Sequence, residues 1–334
     1  MQRHRNVLVV VAIVGVCVVG LGAVIAAFWL SGDDSSDAER RSITVPKLEG
    51  SLHDDGGQAA AWVQENQGDP RAAVIEEKIA WVPQAIWVTG GDDPAKAQSQ
   101  VAKTAAAAKA AGEVPVFVAY AIPERDCGGA SKGGSPDADA YRAWIDGFAA
   151  GLGPDPSIVV LEPDALAQHD CLDDAKRAAR NEMIEYAAKT ITDRASQAQV
   201  YYDAGNSGWK KPEEMAKRLA AAGAEEYGSG IALNVSNFRP TDDEIGYGKA
   251  ILDELGVDGK KIVIDTSRNG AGAAEGDEWC DPDGRKLGEY PTLETGDDQV
   301  AAYLWVKRPG EADGCAAAAG VFEPDLAASL AEGV

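Results

Sequence analysis

Short apolar, β-branched runs alternate along this chain with Ala-, Lys- and Glu-rich stretches, and that alternation limits the fold more than any other feature. The runs fall at residues 85–89, 114–122, 157–161, 199–202, 230–235, 260–265 and 301–306. The clearest helical stretches lie at 94–111, 136–151, 172–196, 212–223 and 242–256. Strand and helix in turn predict a parallel sheet with crossover helices. The runs are apolar throughout rather than alternating, as expected where both faces of a sheet are covered. Seven such units favour a barrel over an open doubly wound sheet. The expected class is therefore α/β, a distorted parallel barrel of about seven strands in a single domain.

The N-terminus has a different character. Arg3, His4 and Arg5 precede an uncharged apolar run over residues 7–30. A helical span needs roughly 20 such residues, whereas a secretory signal has an apolar core of about 7–15. The expected layout is a cytoplasmic basic flank (1–6), a transmembrane signal-anchor or signal peptide (7–30), a linker (31–48) and the folded domain (49–334). In the signal-peptide alternative, Val24-Ile25-Ala26 is the cleavage site. The basic flank puts the domain outside the cytoplasm, either anchored or released. The chain holds 31 Lys+Arg against 54 Asp+Glu, a net charge of −23. The charges in residues 1–41 cancel, so the domain carries the whole excess. Such acidity argues against nucleic acid as a partner, and leaves membrane contact to the N-terminal segment.

Cys17 lies within the apolar span. Cys127, Cys171, Cys280 and Cys315 lie in the domain, and an exported domain favours disulfides. Four cysteines allow three pairings, of which the two short spacings favour Cys127 with Cys171 and Cys280 with Cys315. No CxxC or neighbouring histidine accompanies them, so neither a zinc site nor any other metal or cofactor is expected.

Carboxylates gather just after the strands. Asp126 follows the second, Asp164 the third and Asp203 the fourth; Asp265 closes the sixth, and Glu311 and Asp313 follow the seventh. In parallel barrels the active site lies at the carboxyl ends of the strands. Converging carboxylates raise one another's pKa, which disfavours folding but suits an acid catalyst. Only three histidines are present, His4, His53 and His169. Carboxylate chemistry is therefore favoured over a histidine-based triad. Each segment also has a plainer reading. The Asp126 segment reads as a surface turn salt-bridged by Arg125, and Asp164 as a helix N-cap. Trp87, Trp209 and Trp279 sit beside the acidic rim, where aromatic rings stack on sugar faces. Trp62, Trp81, Trp144 and Trp305 are expected in the core. Asn234-Val-Ser236 matches an N-glycosylation sequon but ends a predicted strand.

Together these segments resemble glycoside hydrolase family six, the family of secreted cellulases. The matching motifs run in the family's order: YAIPERDCGG, VVLEPDALA, YYDAGNSGW, ALNVSNF, IDTSRNG, EWCDP and WVKRPGEADG. The resemblance implies a distorted seven-stranded barrel, the cysteine pairing above, and an inverting endo-β-1,4-glucanase acting on a β-1,4-glucan. By resemblance Asp164 is the general acid. Asp126 raises its pKa and assists the water through Ser131, and Asp203 supports the charge balance. Tyr120 presses on the distorted sugar, and Asp313 is the candidate base. Lys307, Glu311, Asn206 and Asn234 hydrogen-bond the sugar, and Trp87, Trp209 and Trp279 form subsite platforms. Two positions depart from the family. Asn206 stands where histidine is usual, and Arg308 where proline or glycine is usual; both bear on substrate preference. The short stretch after Asp313 predicts an open cleft, and a chain ending with the barrel's last helix predicts no cellulose-binding module. A soluble or amorphous β-glucan is thus the expected substrate, and a monomer the expected state. The alternative reading is a catalytically weak β-glucan-binding protein at the cell surface.

Overall fold

Each apolar run becomes a strand of one parallel sheet in the computed structural model, which describes residues 40–332. The strands are β1 (Ile86–Thr89), β2 (Val116–Tyr120), β3 (Ser157–Leu161), β4 (Ala198–Asp203), β5 (Gly230–Leu233), β6 (Lys261–Asp265) and β7 (Val300–Leu304). Spatial order follows chain order, and every neighbouring pair is parallel. A doubly wound sheet would reverse direction partway. Here each crossover advances one strand, and the sheet curls into a half-barrel.

No ladder joins β7 to β1. Three other bonds bridge that seam. The Ala85 N–H donates to the Trp305 carbonyl at 2.9 Å. The Trp87 indole N–H donates to the Val306 carbonyl at 2.8 Å, and Arg308 Nε to the Ala85 carbonyl at 2.8 Å.

Alternate strand residues enter two separate cores. Phe117, Val159, Val200, Ile231 and Ile262 pack outward under the helices. Val118, Val160, Tyr201, Ala232, Val263 and Ala302 fill the inside of the curl. Both faces are dry, which is why the runs show no polar alternation.

The crossover helices are α2 (Pro94–Ala111), α3 (Ala138–Leu152), α4 (Asp174–Arg194), α5 (Pro212–Ala221) and α6 (Thr241–Leu255). Local chemistry sets their ends. Asp93, Asp137 and Asp173 cap α2, α3 and α4 by accepting a backbone N–H three residues on. Gly112 closes α2 with φ 72°, a left-handed conformation that glycine adopts freely. No α-helix joins β6 to β7, and that long coil returns to the site.

Three features differ from expectation. Helix α1 (Gly57–Glu65) and the helical segment Ala72–Ala80 were not read from the sequence. They pack with the last helix, α7 (Pro324–Glu332), on Trp305 and Leu287 in a third core. The fold also begins earlier than the predicted linker boundary. Arg41–Ser42 pairs in parallel with Val257–Asp258, Pro46 accepts from Gln199, and Lys47 pairs with Glu294 at 2.7 Å. Trp81, expected in the core, is 47% exposed, while Trp144 and Trp305 are buried as expected. The apolar span predicted at 7–30 lies outside the described residues. Among the described residues no helix is long and apolar enough to cross a membrane.

Candidate active site

The strand ends open onto a cleft of about 1030 Å³ whose lining includes Trp87, Tyr120, Asp126, Ser131, Asp164, Asn206, Trp209, Trp279, Lys307, Glu311 and Asp313. Sequence reasoning named all of these. Asp203 and Asn234 do not line it.

Asp203 closes β4 and is only 2% exposed. Its Oδ1 accepts the backbone N–H of Asp164 at 2.9 Å and of Gly205 at 3.1 Å, and its Oδ2 has no protein partner. Burial pushes this carboxyl up to about 7, against the pull of those two N–H groups. Asp164 sits directly above it, half-buried, with φ 70°. A left-handed aspartate is uncommon, and here Asp203 holds its amide in place. Burial raises the Asp164 carboxyl well above the usual range, and the charges of Asp203 and Asp126 raise it further. The helix-cap reading of Asp164 is not what the geometry presents.

Asp126 lies on the loop after β2, also at positive φ. Its Oδ2 accepts the Ser131 backbone N–H at 2.8 Å and its Oδ1 accepts Gln168 Nε2 at 3.1 Å. The salt-bridged turn does not form. Arg125 instead donates to the Tyr120 carbonyl at 2.7 Å and the Ser131 carbonyl at 2.8 Å. Its guanidinium stacks over the Tyr120 ring, 4.2 Å from the centroid. Tyr120 is thereby pinned, with Trp87 meeting its ring edge-on at 5.1 Å. The Cys127–Cys171 disulfide ties this loop to the segment after Asp164.

Gly134 ends the loop with φ 94°, and a Cβ there would lie 1.9 Å from the Ile122 carbonyl oxygen. Gly134→Ala is expected to destabilise by roughly 3 kcal/mol, because strained φ and a backbone clash add. Thermal unfolding of the variant checks this; an unchanged melting temperature contradicts the close approach.

The opposite wall is an ion-pair cluster. Asp313, 7% exposed, pairs through Oδ2 with Arg268 at 2.7 Å and through Oδ1 with Lys307 at 2.9 Å. Burial by itself would raise its carboxyl. The charges and hydrogen bonds of Arg268 and Lys307 prevail and hold it below the usual value. Asp281 braces the same loop by accepting the backbone N–H groups of Asp313, Gly314, Cys315 and Ala316. Its neighbour Cys280 is bonded to Cys315. Both disulfides therefore have the expected pairing.

Two rim carboxylates are structural. Asp265 accepts the backbone N–H groups of Ser236, Ser267, Val306 and Lys307, all within 3.2 Å, and so locks three loops together. Glu162 accepts those of Ala121 and Ile122. Asn234 is corrected for the same reason. It is fully buried, its Nδ2 donates to the Asp265 carbonyl at 2.8 Å and its Oδ1 accepts the Arg239 N–H, so no sugar reaches it.

Asn206 lines the cleft but turns Oδ1 onto the Gly208 N–H at 3.0 Å, closing a local Asx turn. Arg308 is occupied at the seam, where Nη2 meets both Asp55 oxygens. Glu311 accepts from Gln58 of α1 at 2.7 Å. Trp209 and Trp279 are 42% and 54% exposed, with ring surface open to a ligand. Sequence reasoning missed Gln58, Gln168, Arg268 and Asp281 as site-building residues. The last two lie inside motifs already singled out; Gln58 and Gln168 had no signal. Among the described residues no cluster of side chains suits a metal ion.

The model of the glycosyl hydrolases family 6 matches residues 49–329. The chain is 46% identical to Endoglucanase 1 of Streptomyces sp. (strain KSM-9) over 299 residues, which is 90% of this chain and 82% of that protein. It is 47% identical to Endoglucanase A of Thermobispora bispora over 279 residues, covering 83% of this chain but 61% of that protein. Its fold is similar to that of the endoglucanase Cel6 from Mycobacterium tuberculosis, solved in complex with methyl-cellobiosyl-4-deoxy-4-thio-β-D-cellobioside. The TM-score is 0.81 at 42% identity, covering 86% of this chain and 98% of that one. With the motifs, the seven-stranded half-barrel and both disulfides in agreement, the chain belongs to glycosyl hydrolases family 6.

Proposed function

We propose that the protein is an endo-β-1,4-glucanase that hydrolyses internal bonds of a soluble or amorphous β-glucan with inversion at the anomeric carbon. One observation carries this reading. Asp164 opens on the cleft with its carboxyl raised well above the usual carboxylate range by burial and by the neighbouring Asp203 and Asp126. A protonated carboxyl at working pH is what a glycosidic leaving oxygen needs. Asp203 positions this acid through its backbone. Asp126 supplies negative charge beside it, and Tyr120, pinned by Arg125, presses on the distorted sugar. Trp87, Trp209 and Trp279 stack on the sugar faces, while Lys307, Glu311 and the free amide of Asn206 meet hydroxyls. Asp313 holds negative charge across the cleft. Its two cation partners make it a weak base in the resting site, so the attacking water releases its proton along a water chain past Ser131 and Asp126 into solvent, from which Asp164 is reprotonated after giving its own proton to the leaving oxygen. The names of the relatives, endoglucanases, support internal cleavage. The binding-protein alternative has no support in a site whose acid is still primed. Two disulfides favour an extracytoplasmic setting for a monomer.

The test follows the products of a soluble β-1,4-glucan by proton NMR. The α-anomer is expected to appear first and then mutarotate, with chain length falling early. Initial β-anomer, or no cleavage of any β-glucan, overturns the reading.

A further inference from the structure

We infer that Arg180 is a positioning residue that sets the distance between the loop carrying Asp126 and the loop carrying Asp164. Arg180 sits on α4 and is 2% exposed. Its Nη2 donates to the carbonyls of Pro123 and Glu124, each at 3.0 Å, and its Nη1 to the carbonyl of Ala165 at 3.2 Å. Among the described residues no carboxylate forms an ion pair with it. A buried guanidinium without an ion-pair partner is costly, and here its planar fork is spent on three carbonyls of two loops. Pro123 and Glu124 lead directly into Asp126, and Ala165 follows Asp164.

Glu162 completes the grip. It lies two residues before Asp164 and takes the N–H groups of Ala121 and Ile122. Residues 121–124 are thus held by one carboxylate on their donors and one guanidinium on their acceptors. Both loops need such restraint, because Glu124, Asp126 and Cys127 on one, and Glu162 and Asp164 on the other, all have positive φ. Conformations of that kind persist only where the surroundings over-determine them. The disulfide between the loops constrains their span, whereas Arg180 fixes the backbone on the side of the reacting groups.

The inference rests on Asp164 acting as the acid beside Asp126. Arg180→Lys keeps the charge but replaces the fork with a point donor. Its kcat on a soluble β-glucan is expected to fall about 10- to 100-fold with KM within about twofold, the effect of a displacement near 1 Å. The alkaline limb of its kcat–pH profile is expected at lower pH, because Asp126 withdraws its charge from the acid. Arg194→Ala, at the far end of α4 against Asp146, is expected to lower the melting temperature and leave kcat unchanged. If Arg180→Lys does not fold, Glu162→Gln carries the same test. Wild-type kcat and pH profile in the folded variant overturn the inference. Retained activity in Asp164→Asn would instead show that the assignment of the acid had failed.

Discussion

Asp164→Asn is expected to leave the fold intact and to lower kcat on a soluble β-glucan by about 10³-fold, within the span attributed to general acid catalysis. The substitution keeps the shape of a protonated carboxyl and the backbone N–H that Asp203 holds, so binding persists while proton donation is lost. Stability moves the other way. In the folded chain the Asp164 carboxyl is raised above its ordinary 3.8. A raised acid binds its proton more tightly when folded, and above the unfolded value the folded state pays for keeping it neutral. Wild type therefore loses stability as pH rises from about 4 toward the folded pKa. Asparagine carries no such cost. The variant should melt higher than wild type at pH 7 and level with it below pH 4. Melting curves at both pH values, beside the kcat measurement, check the pair of effects; an active variant, or one no more stable at pH 7, contradicts the protonated acid.

Asp313→Ala should have the largest effect on stability. It leaves Arg268 and Lys307, 1% and 8% exposed, as buried cations without their shared carboxylate. Removing one partner from such a cluster costs about 3–5 kcal/mol. The sign with pH is opposite to that of Asp164. The folded carboxyl of Asp313 is depressed, so its contribution is full above the ordinary 3.8 and is lost as pH falls through the lower folded value. The gap between variant and wild type is thus widest at neutral pH and narrows in acid. Urea unfolding at pH 7 and pH 3 measures it; a gap that widens in acid rules out the depressed carboxylate. Activity should fall as well, since Lys307 and the loop held by Asp281 lose their common anchor.

The strands were legible because period and length suffice for a buried parallel sheet. Ser157–Leu161 and Pro94–Ala111 match the predicted ranges. The rim acids were legible because aspartate directly after an apolar strand is conspicuous. Their division of labour was not. Asp265 and Asp164 look alike in sequence, yet one receives four backbone N–H groups and the other none. That difference arises from where distant loops return, which no local pattern encodes. Asn234 was misread for the same reason. Helix α1 was missed because Gly57–Glu65 lacks a capping side chain and a clear polar face, and its place is decided by Trp305 and α7. The three-carbonyl grip of Arg180 was equally invisible, since a helical arginine gives no sign of being buried.

The pairing of Arg41–Ser42 with Val257–Asp258 fixes where the chain enters the barrel. Val257–Asp258 lies just ahead of β6, at the amino ends of the strands, and the cleft lies at their carboxyl ends. The first described strand residues therefore join the domain at the pole opposite the mouth. Substitutions at Arg41 or Ser42 thus act on how the domain is closed at its base and leave the lining of the cleft untouched.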